Sequence, residues 1–355
     1  MSAVELRPAP HTQKAGRRKS VTIDLHCHAL TPAVERLVAG CPEKAVEVAA
    51  QLKMYGAESV EHNRKMIASL ASQLTDINRR LSDMDAMGVD IQVISPSPNQ
   101  YYYWADVDLA KQIVSTQNEH IASLCAAHPD RIAGLGNVAL QHAELSVEQL
   151  TECVRKLGLR GVEISSAVNG IELDDPRFSR FWAKAEELGC LIFLHPLGTT
   201  MGDRVSRHYL ANIIGQPLET TIALSHLVFG GVLDRYSGLK ICAAHGGGYL
   251  ASYIGRSDHG YRVRPETGKI KHKPSEYLKQ IYFDSVVYTP EGLRHLVAEV
   301  GVTQVVAGTD YPFDMGAYDV HGLISMVPGL SDEERKMILG GNAARLLGLD
   351  RGASR

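Results

Sequence analysis

Eight short apolar runs recur along this chain, with helical segments between most of them. The runs span residues 21–26, 91–95, 132–139, 161–165, 191–195, 239–244, 281–285 and 304–307. Several are continuously apolar, as strands buried on both faces are. Helical periodicity marks 109–128, 142–157, 176–188 and 288–300. A strand followed by a helix, eight times over, predicts an α/β chain closed into a parallel (β/α)8 TIM barrel. A length of 355 residues suits one such unit. No repeat, low-complexity tract or linker marks a second domain. The expected organisation is a flexible tail over 1–20 and one barrel domain over 21–355. An insertion after strand one, residues 30–77, is polar or helical and expected to cover the mouth of the barrel. A second long stretch holds ANIIGQPLETTIALSHLVFGGVL, suited to a core or a subunit interface. Ser331 and Glu334 have capping-box spacing before KMILGGNAARLLGL.

A parallel barrel gathers the C-terminal ends of its strands on one face, and that face carries the active site. In this chain those ends hold residues that can bind and work a metal. His26 and His28 lie in VTIDLHCH, His195 in LIFLHP, His245 in LKICAAHGG and Asp310 in QVVAGTDYP. His26 and His28 are two apart on one strand, so both leave the same face and can take adjacent positions around a divalent ion. Cys27, between them, is expected to point the other way. His195 and Asp310 complete a set of imidazoles and a carboxylate that favours zinc, with manganese, iron or cobalt as alternatives. His245 fits either a fourth histidine ligand or an acid/base group. The second is favoured, because a metal already holding four side chains needs something to move protons.

Substrate contacts are less sharply marked. Arg256 and Arg264, in GRSDHGYRVRP, suit recognition of carboxylates by paired hydrogen bonds; solvated or interface arginines are the plainer reading. Tyr101, Tyr102, Tyr103 and Trp104 follow strand two and could stack on a planar substrate or simply pack. Glu163 lies inside strand four, in GVEISS, in a direction the sequence leaves open. The net charge of -3 gives no sign of a nucleic-acid or membrane partner, and no apolar run has membrane-spanning length. The six cysteines form no CxxC pair and read as free thiols in a reducing cytoplasm.

The motifs DLHCH, FLHP, AHGGG and GTDYPF, in this order, resemble the amidohydrolase superfamily. Within it the chain is similar to the metal-dependent decarboxylase branch typified by 2-amino-3-carboxymuconate-6-semialdehyde decarboxylase. The resemblance runs from about Val21 to Leu349 and includes MDAMGVDIQVIS and GRSDHGYRVRP. It implies a distorted barrel with one divalent ion, usually zinc and in some relatives manganese, held by His26, His28, His195 and Asp310. It also implies that His245 is the catalytic histidine beside the metal-bound water, with His245, Asp310 or that water as the group that protonates carbon. Arg256 would reach across the interface of a homodimer, or of a higher homo-oligomer, and Arg264 would act within its own subunit. The lysine that bridges two metals in binuclear relatives is missing from GVEISSAV. Three departures lie at the expected substrate pocket: PLGTT after His195, no clear counterpart to an arginine of the first insertion other than Arg64, and a tyrosine-rich loop after strand two. They imply a different substrate from that of the type enzyme. The expected activity is non-oxidative decarboxylation of a hydroxylated or aminated aromatic or muconate-type acid. A hydrolase or hydratase with the same metal, and a non-catalytic metal-binding barrel, are the rivals.

Overall fold

The structure, a computed structural model, describes residues 20–349, so all of the expected tail but Ser20 lies outside the described residues. Eight parallel strands form the barrel: β1 (Ile23–Ala29), β2 (Ile91–Pro96), β3 (Ile132–Gly134), β4 (Gly161–Ile164), β7 (Leu191–Leu194), β8 (Lys240–Ala243), β9 (Ile281–Asp284) and β10 (Val305–Val306). A small antiparallel hairpin, β5 (Ala167–Val168) and β6 (Ile171–Glu172), follows β4. The barrel is two hydrogen-bonded arcs, β1-β2-β3 and β10-β9-β8-β7-β4. Single bridges close the seams, Gly136 with Val162 and Cys27 with Tyr311. Bridges in place of full ladders are the distortion. β3 is shorter than the run 132–139 because a side chain takes over from a neighbouring strand. The Asn118 amide donates to the Asn137 carbonyl at 3.0 Å and accepts its N–H at 2.7 Å.

Helices α1 (Pro32–Val38), α2 (Pro42–Ser69), α3 (Ala71–Thr75) and α4 (Ile77–Met87) fill the connection from β1 to β2. Around the barrel follow α5 (Val107–Ala127), α6 (Ala143–Arg155), α7 (Ser179–Leu188), α8 (Gln216–Phe229), α9 (Val232–Arg235), α10 (Leu250–Val263), α11 (Pro274–Tyr277) and α12 (Pro290–Val300). The chain ends in α13 (Val320–Ser325), α14 (Asp332–Lys336) and α15 (Asn342–Leu347). The capping box read from the sequence is formed at the start of α14. No helix among the described residues is long and apolar enough to cross a membrane.

The alternation of side chains along β7 shows how the fold aims its functional residues. Ile192 and Leu194 pack outward with Phe181, Trp182, Leu224 and Leu227 of the helices. Leu191 and Phe193 pack inward with Leu25, Val93, Cys242 and Val306, above Leu346 and Leu347 of α15. Burying each such side chain is worth about 1.5–3 kcal/mol, so a one-residue slip of register is strongly disfavoured. The next inward position after Phe193 is His195.

The mouth of the barrel is covered as the insertion predicts. Helix α2 breaks at Gly56, at φ 76° and ψ 158°. A Cβ there would lie 2.5 Å from the Ser206 carbonyl oxygen, so the close crossing requires glycine. Tyr55 accepts from Gln216 at 3.0 Å, and His62 meets Asp314 at 3.2 Å. Lys44 reaches the Tyr102 hydroxyl, and the Trp104 indole donates to Glu47. These contacts spread α2 over the loops that leave β2, β7 and β10. In the segment 211–233, Ala211, Leu224 and Leu227 are core, while Ile213 and Ile214 remain exposed.

Candidate metal centre

Strand β1 delivers His26 and His28 with no exposure to solvent. Their Nε2 atoms are 3.2 Å apart, and each lies 3.3 Å from Asp310 Oδ1. The His195 ring stands 5.0 Å from that of His26 and 4.9 Å from that of His28. Ligand atoms of His26, His28, His195 and Asp310 all fall within 4.8 Å of one another. Cys27 faces away, its thiol donating to the Val93 carbonyl, as strand alternation predicts.

The outer nitrogens fix which face of each ring carries a lone pair. His195 Nδ1 is 2.9 Å from the Pro196 carbonyl, an acceptor only, so Nδ1 holds the hydrogen. His28 Nδ1 is 3.3 Å from the Pro96 carbonyl and 3.2 Å from Ser95 Oγ. His26 Nδ1 is 2.5 Å from Asp284 Oδ2. With Nδ1–H turned outward on all three, three Nε2 lone pairs and a carboxylate converge on one buried point. His195 Nε2 and Asp310 Oδ1 have no hydrogen-bond partner there. A concentration of electron pairs with unpartnered buried atoms fits a cation, and this donor set fits one divalent ion.

The titration behaviour of the chain without metal agrees. Burial disfavours charge on His26, but Asp310 and Asp284 outweigh it and raise its pKa to about 10. His195 is held well below the usual imidazole range by burial and by the His28, His245 and His26 rings around it. Burial opposes the charge on Asp310, yet the His26, His245 and His28 rings beside it keep it well below the usual carboxylate range. The cluster thus asks for positive charge at its centre.

His245 belongs to the same group but at its edge. Its ring is 5.1 Å from His26 and 5.0 Å from His195, and its Nε2 is 3.5 Å from Asp310 Oδ2. His245 and Asp310 both hold positive φ, 55° and 59°, which non-glycine residues rarely adopt. The glycines after His245 permit the turn: a Cβ on Gly248 would sit 2.0 Å from the Pro217 carbonyl oxygen, and one on Gly247 2.6 Å from the Phe283 ring.

Two carboxylates support the cluster from behind. Asp284, at the end of β9, is fully buried and was given no role by sequence reasoning. Burial works against its charge, but His26 and the surrounding hydrogen bonds keep its pKa below the usual value. Glu163 points into the barrel, which answers the question its sequence position left open. Ser95 Oγ donates to it at 2.5 Å and the Tyr101 hydroxyl at 2.7 Å, and His28 Nδ1 lies 3.5 Å away. Burial pushes the Glu163 carboxyl up despite the pull of His28. Below them, Asp24 ties β1 to the last loop through Thr309 N–H at 3.0 Å and Thr309 Oγ1 at 2.7 Å. Buried Arg80 of α4 donates to the His28 carbonyl and, through Gln92, links to Asp24.

The expected substrate contacts divide. Tyr103 is buried, its ring stacked 5.5 Å from that of Tyr101 and its hydroxyl accepting from Ser165 N–H. Tyr101 in turn reaches the His195 carbonyl at 3.3 Å, so the pair forms part of the site wall. Trp104 instead serves as an anchor for α2 through Glu47. Arg256 is exposed on α10. Arg264 caps the far end of that 14-residue helix and pairs with Glu266. At 1.5 Å per residue it is about 20 Å along the helix from the HGGG turn. Arg64 is exposed and paired with Glu61. Phe313, unmarked in the sequence, lies 5.5 Å from the His28 ring.

A family model described as Amidohydrolase matches residues 23–349. The 2-amino-3-carboxymuconate-6-semialdehyde decarboxylase of Dictyostelium discoideum is 34% identical over 344 residues, covering 94% of this chain and 93% of that one. The gamma-resorcylate decarboxylase of Rhodococcus jostii (strain RHA1) is 28% identical over 302 residues, covering 79% and 91%. The crystal structure of 5-carboxyvanillate decarboxylase from Sphingomonas paucimobilis shares the fold with a TM-score of 0.81 at 26% identity, covering 93% of this chain and 99% of that one. Since the match runs from the first barrel strand to the last described residue, the chain belongs to the amidohydrolase family.

Proposed function

We propose that this protein is a metal-dependent, non-oxidative decarboxylase of a hydroxylated or aminated aromatic or muconate-type carboxylic acid. The observation that carries the reading is the placement of His245 and Asp310, 3.5 Å apart, beside three converging imidazole nitrogens in a chain whose relatives are decarboxylases. His26, His28, His195 and Asp310 would hold one divalent ion, zinc by donor preference and manganese as the alternative. When bound, that ion supplies positive charge and open positions for the substrate carboxylate and the polar group beside it.

The residues of the chain do the rest. The buried cluster and the Tyr101–Tyr103 wall fix the acid in one geometry, which removes the entropy cost of a bimolecular encounter. A proton added to the carbon that bears the carboxylate makes that carbon tetrahedral, and loss of CO2 then returns the electron pair of the broken C–C bond to the substrate's conjugated system. His245, with Nε2 3.5 Å from Asp310 Oδ2, is placed to act as the acid that delivers the proton to that carbon. Arg256 is read as reaching the neighbouring subunit's substrate in a homodimer. Arg264, paired with Glu266, is read as acting within its own subunit, and Tyr103 and Trp104 as substrate contacts, the latter also holding Glu47 of α2. The free cysteines suit a cytoplasmic protein.

A product assay tests the reaction. Metal-loaded protein should release CO2 from such an acid without net uptake of water. A hydrated or hydrolysed product with no CO2 would replace this reading with a hydratase or hydrolase on the same site.

A further inference from the structure

Asp284 makes contacts on both sides of the centre at once. Its Oδ2 accepts from His26 Nδ1 at 2.5 Å and from the His245 backbone N–H at 2.9 Å. Its Oδ1 accepts from Gly246 N–H at 2.8 Å and Val286 N–H at 3.0 Å. Four N–H donors thus converge on one buried side chain, and only a group that accepts on both atoms satisfies them. The Asp284 Cβ is itself packed against Gly308, where an added Cβ would come within 3.1 Å of it, so the carboxylate has little room to swing.

From this sharing we infer that Asp284 is a positioning residue that couples metal occupancy at His26 to the placement of His245. The inference rests on the metal-dependent reading above and deepens it. One oxygen, Oδ2, faces the outer nitrogen of a ligand ring and the backbone that sets the His245 turn. A ligand ring held by a cation pulls harder on that oxygen than a free ring does, because a hydrogen bond to a ring that shares charge is stronger and shorter. Oδ2 moves or stiffens with the ring, and the His245 N–H follows it. The turn it controls holds His245 at a φ of 55°, a strained value for a residue with a side chain, ahead of three glycines that also take positive φ. A strained turn is held only as well as its hydrogen bonds hold it. Filling the metal site and setting the acid/base histidine are therefore one event.

Amide hydrogen exchange of the full-length protein tests the coupling without any variant. With zinc or manganese added to chelator-stripped protein, exchange over the His245–Gly248 turn should slow about tenfold or more, beyond any change in helices such as α6. Bound metal, measured separately, with no change at this turn overturns the inference and leaves the metal-dependent reading intact. Absence of bound metal overturns that reading as well.

A variant adds a second readout. Asp284→Asn keeps the shape but turns one accepting oxygen into a donor, facing N–H groups. Metal affinity, measured by competition with a chelating indicator, should fall about 10–100-fold. At saturating metal, kcat should stay reduced while KM changes little, and the metal-dependent slowing at residues 245–248 should vanish. Full kcat at saturating metal would show that Asp284 serves His26 alone and overturn the coupling. Weaker thermal stability with unchanged metal affinity and kcat would mark Asp284 as merely structural, with the same consequence.

Discussion

The strand-end cluster and the α2 cover lie on the same face of the barrel and are built in opposite ways. In the cluster His26, His28, Glu163 and Asp284 are wholly buried, and each ring is pinned through its outer nitrogen. The backbone joins in: the His26 carbonyl accepts Asp310 N–H at 2.8 Å, and the His28 carbonyl accepts from Arg80. The 28 residues of α2 contain no buried side chain, and the helix is interrupted at Gly56. Its ties are peripheral, such as His62 with Asp314, whose side chains are 68% and 44% exposed. Buried, mutually satisfied polar networks are rigid, whereas exposed pairs contribute about 0–1 kcal/mol. The centre of this fold is thus packed on every side, while the element above it is tied by half-buried and exposed side chains.

Breaking the rigid half should produce the largest effects. His195→Ala or Asp310→Ala removes a ligand and leaves the other electron pairs facing one another. Metal content should fall to background and activity with it, as read by metal analysis on purified protein. A variant that keeps a full complement of metal would remove that residue from the ligand set. His245→Ala should separate binding from chemistry. It should retain most of the metal but lose rate by about two to four orders of magnitude, the usual range for a general acid/base. Loss of metal as complete as in His195→Ala would make His245 a ligand instead.

The same contrast explains what the sequence made legible. The clustered residues sit at strand ends, and a period of two aims them; both signals are local, so the meeting of His26, His28, His195 and Asp310 could be read directly. Asp284 could not, because its partner His26 is 258 positions away and FDS looks like any strand end. Glu163 was visible, but its direction depends on which residues of β4 pack outward, here Val162 and Ile164. Arg264 follows the HGGG turn by a whole helix, a length that the motif itself does not carry, and its Glu266 partner is not marked by the motif either. The partner of Trp104, Glu47, lies in the insertion whose path no local pattern specifies.

Subunit assembly offers a smaller, intermediate effect. If Arg256 serves the neighbouring site, mixing Arg256→Ala chains with His245→Ala chains should restore activity. Random exchange in a two-fold dimer makes half the dimers mixed, each with one complete site, so recovery should reach about a quarter of the normal rate. No recovery after verified exchange would confine Arg256 to its own subunit or to the surface.

The cover should give the smallest effects, and they should be of a different kind. Gly56→Ala forces a side chain into positive φ and against the Ser206 carbonyl, so α2 must lift or shift. The strain is about 1–3 kcal/mol and falls on the cover alone. Metal content should therefore be unchanged, while kcat/KM drops several-fold. His62→Ala removes only an exposed pair and should cost less than about 1 kcal/mol in stability. Its effect on kcat/KM should stay within about twofold and diminish as salt is raised, since screening already weakens the pair it removes. Metal affinity and steady-state kinetics on the two variants, at low and high salt, check both expectations. Loss of metal in either variant, or a His62→Ala defect as large as that of His245→Ala, would mean that the cover and the cluster form one rigid unit. The division between a preset centre and a loosely held cover would then be wrong.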